Sequence, residues 1–243
     1  MKVSIGDLRF EPAEKKALIR LINGNHKVTE GNYTTKFEGS MAKHIGLNHC
    51  SALNSGTSAL LASLLAIKQS GLCKKNSEYV ITSPLTYPAT INAIIFSGFK
   101  PLFVDIEDNL CISADKCNEL LSGNYGIAGI VPVNLLGFMP DMQKLSGLAK
   151  SHGIFMIEDC AESFGSRQGK KQCGTFGDGS IFSFFASHTV GVGELGCFLT
   201  NNDSLHRAVN EIKDNGIKSA KGKERYDFAF ESKGLNFKTI EFM

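Results

Sequence analysis

The sequence has no tryptophan, no Cys-x-x-Cys pair and no apolar run of 18 residues, in a chain of 243. The last absence argues against a transmembrane helix, and so against a membrane partner. Seven cysteines (Cys50, Cys73, Cys111, Cys117, Cys160, Cys173, Cys197) are present, odd in number and scattered. Such spacing argues against a disulfide framework and against a zinc or iron–sulfur site, and points to free thiols in a reducing cytoplasm. Charge of one sign is also lacking: 26 Lys and Arg against 24 Asp and Glu leave a net charge of +2. That balance offers no case for nucleic acid as a partner. Met1-Lys2-Val3-Ser4-Ile5-Gly6-Asp7 has no apolar h-region and does not read as a signal peptide. What is there is 42% hydrophobic, enough to bury the core of one large domain.

Helical spacing runs through Ala13, Ala17, Leu18, Leu21 and Ile22, with Pro12 in the first turn, and again through Phe37, Met41 and Ile45. His26, His44 and His49 show no ligand spacing and read as surface or packing residues. A nearly all-apolar helix follows at Ala59 to Ile67. Short apolar strands then alternate with helices. Strands are expected at 79–82, 100–105, 127–133, 154–159 and 197–200, and helices at 89–96, 113–121, 140–152 and from an Asp203 cap to about 215. This rhythm predicts an α/β fold, a mainly parallel sheet with helices on both faces. Gly165 to Asp178 reads as a hairpin with Lys170-Lys171 at its solvated tip, and Gly234 to Met243 as the start of a helix.

Five features fall at strand ends or helix starts, where such sheets place chemistry. Gly56 and Thr57 open the apolar helix and suit a phosphate cradle, or an ordinary cap made by Ser55 or Thr57. Tyr87 sits in a turn after a strand. Asp159 closes a strand that is expected to be buried, where a carboxylate needs a cation or donors, or else caps the next turn. Ser183 ends the strand Gly179 to Phe185, and His188 follows in a glycine-rich loop. Imidazole is the side chain suited to proton transfer near neutral pH. A pyridine cofactor with a phosphate tail needs such a set: donors for the phosphate, a ring to stack on and a carboxylate for the ring nitrogen.

In these stretches the chain resembles the DegT/StrS family of sugar-nucleotide enzymes, which are fold-type-I, aminotransferase-like and dependent on pyridoxal phosphate (PLP). The matching stretches are Thr29-x-Gly31 with Phe37-Glu38, Asn54-Ser55-Gly56-Thr57-Ser58-Ala59-Leu60 and Thr86-Tyr87-Pro88-Ala89-Thr90-Ile91-Asn92-Ala93. Others are Lys100-Pro101-Leu102-Phe103-Val104-Asp105-Ile106, Val133-Asn134-Leu135-Leu136-Gly137, Ile157 to Gly165, and Gly174-Thr175-Phe176-Gly177-Asp178 leading into Phe182-Ser183-Phe184. They span essentially the whole chain in the family's order. The resemblance implies that residues 1–243 form the cofactor-binding large domain, with an N-terminal helical segment over about 1–28. It also implies a chain that stops before a C-terminal small domain.

His188 stands where the family's aminotransferases carry the lysine that tethers the cofactor, and no lysine lies between Lys171 and Lys213. A histidine there, with Glu162 in place of glutamine, resembles the family's 3-dehydratase branch, typified by GDP-4-keto-6-deoxymannose 3-dehydratase. The branch that adds an iron–sulfur cluster is disfavoured, because no cysteine occurs from Lys213 to Met243. The resemblance implies PLP and pyridoxamine phosphate (PMP) as cofactor forms, a nucleotide-linked 4-keto-6-deoxy sugar as substrate, glutamate as a suitable amino donor, and a homodimer. It implies His188 as the base, Asp159 at the ring nitrogen and Glu162 near the ring hydroxyl. Gly56, Thr57 and Ser183 would hold the phosphate and Tyr87 the ring face. The alternatives are an aminotransferase and a non-catalytic relative.

Overall fold

The computed structural model describes residues 10–24, 27–123, 125–217 and 232–243. The expectations for Met1 to Asp7 and for His26 fall outside them. Two N-terminal helices, α1 (Pro12–Asn23) and α2 (Asn32–Ile45), precede strand β1 (His49–Leu53) and helix α3 (Gly56–Gln69). Then come β2 (Tyr79–Thr82), α4 (Pro88–Phe96), β3 (Lys100–Phe103), α5 (Ala114–Leu121), β4 (Ile127–Ile130), α6 (Met142–His152) and β5 (Phe155–Asp159). A small hairpin of β6 (Arg167–Gln168) and β7 (Lys171–Gln172) leads to β8 (Gly179–Ser183), β9 (Gly196–Thr200) and α7 (Asp203–Lys213). Among the described residues no helix is long and apolar enough to cross a membrane.

The main sheet has seven strands in the order β1-β9-β8-β5-β4-β2-β3. Only β9 runs against its neighbours, so the other strands share one direction. Along each strand, alternate residues enter different cores. Val80, Phe155, Ile157, Ile181 and Phe198 pack with α3, α4 and α7. On the opposite face Ile81, Ile130 and Met156 pack with α5 and α6, while Phe182, Cys197 and Leu199 meet Met41 and Ile45 of α2. Burial on both faces explains why these strands read as continuous apolar runs.

Three local expectations are corrected. Strand β1 escaped notice because His49-Cys50-Ser51-Ala52-Leu53 is short and rich in small residues, and pairing with β9 supplies what propensity does not. Helix α7 is capped by Asn202, whose Oδ1 accepts from the Ser204 and Leu205 amides at 2.9 and 3.0 Å, and not by Asp203. Gly234 to Met243 starts no helix. Its backbone is paired elsewhere: Leu235 N–H donates to Ile212 O, Phe237 N–H to Lys213 O and Glu241 N–H to Val28 O. The Glu241 carboxylate caps α2 instead, accepting from the Gly31, Tyr33 and Thr34 amides at 2.7, 2.8 and 3.0 Å.

His44 and His49 serve packing. His44 stacks on Phe164, and His49 pairs with Asp203 at 2.7 Å while stacking on His206 at 4.5 Å. Burial, and then the neighbouring His49, hold the His206 imidazole down at about 4, from an ordinary 6.5. A base held down in the folded state takes up its proton first in the unfolded chain. Its stabilising contribution is therefore complete above pH 6.5 and is lost as pH falls toward 4. Solvent screening of this half-buried ring limits the loss to roughly 1–2 kcal/mol. Urea midpoints at pH 7 and pH 4.5 should show that loss in the parent, and His206→Gln should lose correspondingly less over the same interval.

Candidate active site

Five chain segments reach the carboxyl edge of the parallel strands: the starts of α3 and α4, the turn after β4, and the ends of β5 and β8. They enclose a pocket of about 280 Å³. Gly56, Thr57, Tyr87, Asp159, Glu162, Ser183 and His188, all singled out in the sequence, line it. So do Thr86, Thr90, Asn134 and Glu194, which were not singled out individually. Among the lining residues there is no lysine.

At the head of α3 the Ser55 hydroxyl accepts from the Ser58 amide at 3.1 Å, so Ser55 and not Thr57 is the cap. The Gly56 and Thr57 amides are then left at the helix N-terminus without an intrahelical acceptor, a setting that favours an anion. Close packing builds this corner. A Cβ on Gly56 would lie 2.7 Å from Ser183 Cβ, and one on Gly196 would lie 2.2 Å from the Ser55 carbonyl carbon.

The two acids ending β5 part company because strand side chains alternate. Glu158 is fully buried on the far side, where it accepts from the Gly174, Phe176 and Gly177 amides at 2.7, 2.5 and 3.0 Å. Asp159 faces the pocket. Its Oδ2 accepts from Thr90 Oγ1 at 2.7 Å and its Oδ1 from the Ala161 amide at 3.2 Å. Burial pushes the Asp159 carboxyl up; these two donors, and more weakly His188, pull against it. Glu162 offers one oxygen to the Leu136 amide at 2.8 Å, which holds Leu136 in its left-handed turn (φ 53). Tyr87, 73% exposed, precedes α4 with its ring free for a bound molecule to cover.

Among the described residues, two polar atoms in the pocket wall are buried without a hydrogen-bond partner: Asn134 Oδ1 and His188 Nδ1. The Asn134 amide nitrogen is engaged, donating to Cys160 Sγ at 3.3 Å. His188 is set by its backbone N–H, which donates to Phe185 O at 2.9 Å, and by edge-on contact with the Phe185 ring. A ligand carrying both donor and acceptor groups would satisfy these orphans. Donors at α3 and Ser183, a buried carboxylate, an exposed ring and unsatisfied polar atoms together fit a pyridine cofactor with a phosphate tail.

The profile of the DegT/DnrJ/EryC1/StrS aminotransferase family matches residues 10–242. The chain belongs to this family. It is 35% identical over 205 residues to a GDP-perosamine synthase from Escherichia coli O157:H7, covering 84% of this chain and 54% of that protein. In structure it is similar to Helicobacter pylori PseC, an aminotransferase involved in the biosynthesis of pseudoaminic acid (TM-score 0.91, 26% identity, 100% of this chain and 63% of that one). It is also similar to the structure of NtdA of Bacillus subtilis with bound cofactor PMP (TM-score 0.79, 27% identity, 99% and 55% covered). GDP-4-keto-6-deoxymannose-3-dehydratase (ColD), with bound GDP-perosamine, shares the fold (TM-score 0.89, 23% identity, 99% and 65% covered). The chain thus spans between half and two thirds of the length of these relatives. The family expected from the sequence is confirmed, and so is the PLP-transferase-like architecture; the relatives by name are mostly aminotransferases, where the sequence reading had put dehydration first.

Proposed function

We propose that the chain forms the cofactor-binding part of a PLP/PMP-dependent enzyme that removes the C3 hydroxyl of a nucleotide-linked 4-keto-6-deoxy sugar. The observation that carries this is His188: an imidazole occupies the loop where aminotransferases of the family hold their tethering lysine, and among the described residues no lysine lines the pocket. Imidazole has no primary amine, so the cofactor stays untethered and exchangeable.

When bound, the cofactor supplies a pyridinium electron sink. Asp159 holds the proton on the ring nitrogen through whichever lone pairs Thr90 and Ala161 leave free. The Gly56 and Thr57 amides and the Ser183 hydroxyl hold the phosphate, Tyr87 covers a ring face, and Glu162 meets the ring hydroxyl. His188, with Nδ1 unpartnered in the pocket wall, takes up and returns a proton beside the reacting carbons. Glutamate serves as amino donor. The working unit is a homodimer, which light scattering of the purified chain would check against a single-chain mass.

A second reading, transamination at C4, has the support of the named relatives, GDP-perosamine synthase and PseC. On relatedness alone it is the better supported of the two; position 188 is what speaks against it. Product masses separate them when the protein is incubated with PLP, glutamate and GDP-, dTDP-, UDP- or CDP-linked 4-keto-6-deoxy sugars. The expected product lacks one oxygen and keeps the ketone. An amino group in place of the ketone oxygen would overturn dehydration in favour of transamination, and unchanged substrate in every case would overturn both.

A further inference from the structure

The proposed role of Asp159 meets a physical obstacle. The carboxyl is only 6% exposed, at the end of a strand buried on both faces, and burial disfavours the charge that holding a ring proton requires. Among the described residues no lysine or arginine lines the pocket to offset it. Glu162 opposes the charge electrostatically and His188 favours it weakly. Glu158, its neighbour in sequence, points to the other face and is occupied by the Gly174 to Gly177 loop.

What does face Asp159 is the Thr90 hydroxyl in the first turn of α4, backed by Thr86 in the turn before that helix. Thr90, 2% exposed, sits within hydrogen-bond reach of both Thr86 and Asp159: 2.9 Å from Thr86 Oγ1 and 2.7 Å from Asp159 Oδ2. A hydroxyl has one proton. If Thr90 donates it to an ionised Asp159, Thr86 must be the donor to Thr90. The three groups then form one directed chain, Thr86 to Thr90 to Asp159, in which each bond polarises the next. A protonated Asp159 still accepts from Thr90 through its carbonyl oxygen, but more weakly than a carboxylate does, so the directed chain favours the charged form. The positive end of α4 lies on the same side and adds to the preference for charge.

We infer that Thr90, with Thr86 behind it, is the positioning residue that keeps Asp159 ionised and fixes which of its lone pairs meets the cofactor ring. The second half of this inference rests on the cofactor reading above; the first half concerns the protein alone. Thr90 is not a catalytic residue, since it acts only through Asp159.

The test uses the full chain, first without PLP. The ¹³C-carboxyl resonance of Asp159, assigned by its loss in Asp159→Asn, is followed against pH in the parent, Thr90→Val, Thr90→Ser and Thr86→Val. Thr90→Val should raise the Asp159 midpoint by about one pH unit. Thr90→Ser should restore the parental midpoint, and Thr86→Val should produce a smaller rise in the same direction. An unmoved midpoint in folded Thr90→Val would overturn the inference. Should that variant not fold, an unmoved midpoint in Thr86→Val would do so. PLP is then titrated in by absorbance. Parent binding with a pH-dependent band that shifts in Thr90→Val and returns in Thr90→Ser supports the full inference. A parent that binds no PLP overturns the cofactor reading, while the Asp159 midpoints still decide the role of Thr90.

Discussion

Turnover of the proposed 4-keto-6-deoxy sugar substrate should fall about 10²–10⁴-fold in His188→Ala, the range ascribed to a positioned acid or base. PLP and PMP should still bind, because the contacts proposed for the phosphate and ring lie at the starts of α3 and α4, at the end of β5 and just beyond it, and on β8, not on the loop. The argument comes from the setting of this ring. Its backbone is pinned to Phe185 O and its ring meets the Phe185 ring edge-on, yet Nδ1 has no partner among the described residues. His49, by contrast, has a ring nitrogen engaged, its Nε2 meeting Asp203 at 2.7 Å. The complementary substitution, His188→Lys, places a primary amine at the same point. That variant should acquire a covalent attachment to PLP that borohydride fixes, seen as an added mass on the protein, and should lose dehydration. Dehydration at the parental rate in His188→Lys would remove His188 from the chemistry.

Gly196→Ala is expected to be the most damaging single methyl in the site region. A Cβ there would stand 2.3 Å from Ser55 O and 2.4 Å from Gly56 N, both backbone atoms that no rotamer change can move aside. Either β9 or the head of α3 must shift, at a cost of about 3 kcal/mol. The consequence should reach the site, because the displaced amides are the ones proposed to hold the phosphate. PLP affinity should therefore fall together with the urea midpoint. Gly39→Ala makes the control: it lies exposed within α2 with nothing near the added methyl, and should be neutral or stabilising by up to about 1 kcal/mol. Equal PLP affinity in Gly196→Ala and the parent would separate the Gly196 corner from the phosphate contacts.

The parallel strands were legible because burial on both faces leaves nearly unbroken apolar runs such as Phe155-Met156-Ile157. Strand β1 was not, since its residues are small and its pairing partner begins at Gly196, far along the chain. The tail after Gly234 misled for a related reason. Its local pattern suits a helix, but its amides and carbonyls are taken by residues around 28, 54 and 212–215. At the pocket, the residues at helix starts and strand ends could be named because motif and position coincide. Thr90 could not be ranked above its neighbours, since its partner Asp159 is 69 residues away. Asn134 did carry a readable sign, an amide placed directly after an apolar strand, where burial demands a partner.

The cap on α2 has a consequence for how the chain acquires its structure. Glu241 satisfies amides 207 to 210 positions earlier, so the first turn of α2 is completed by nearly the last residue of the sequence. Closing so large a loop is entropically slow and earns nothing until it is done. The start of α2 should therefore fray during early refolding and become protected from amide hydrogen exchange only in the final phase. The apolar interior of α3 should be protected well before it. An early helix hanging on a late contact makes this corner the natural place for folding to pause.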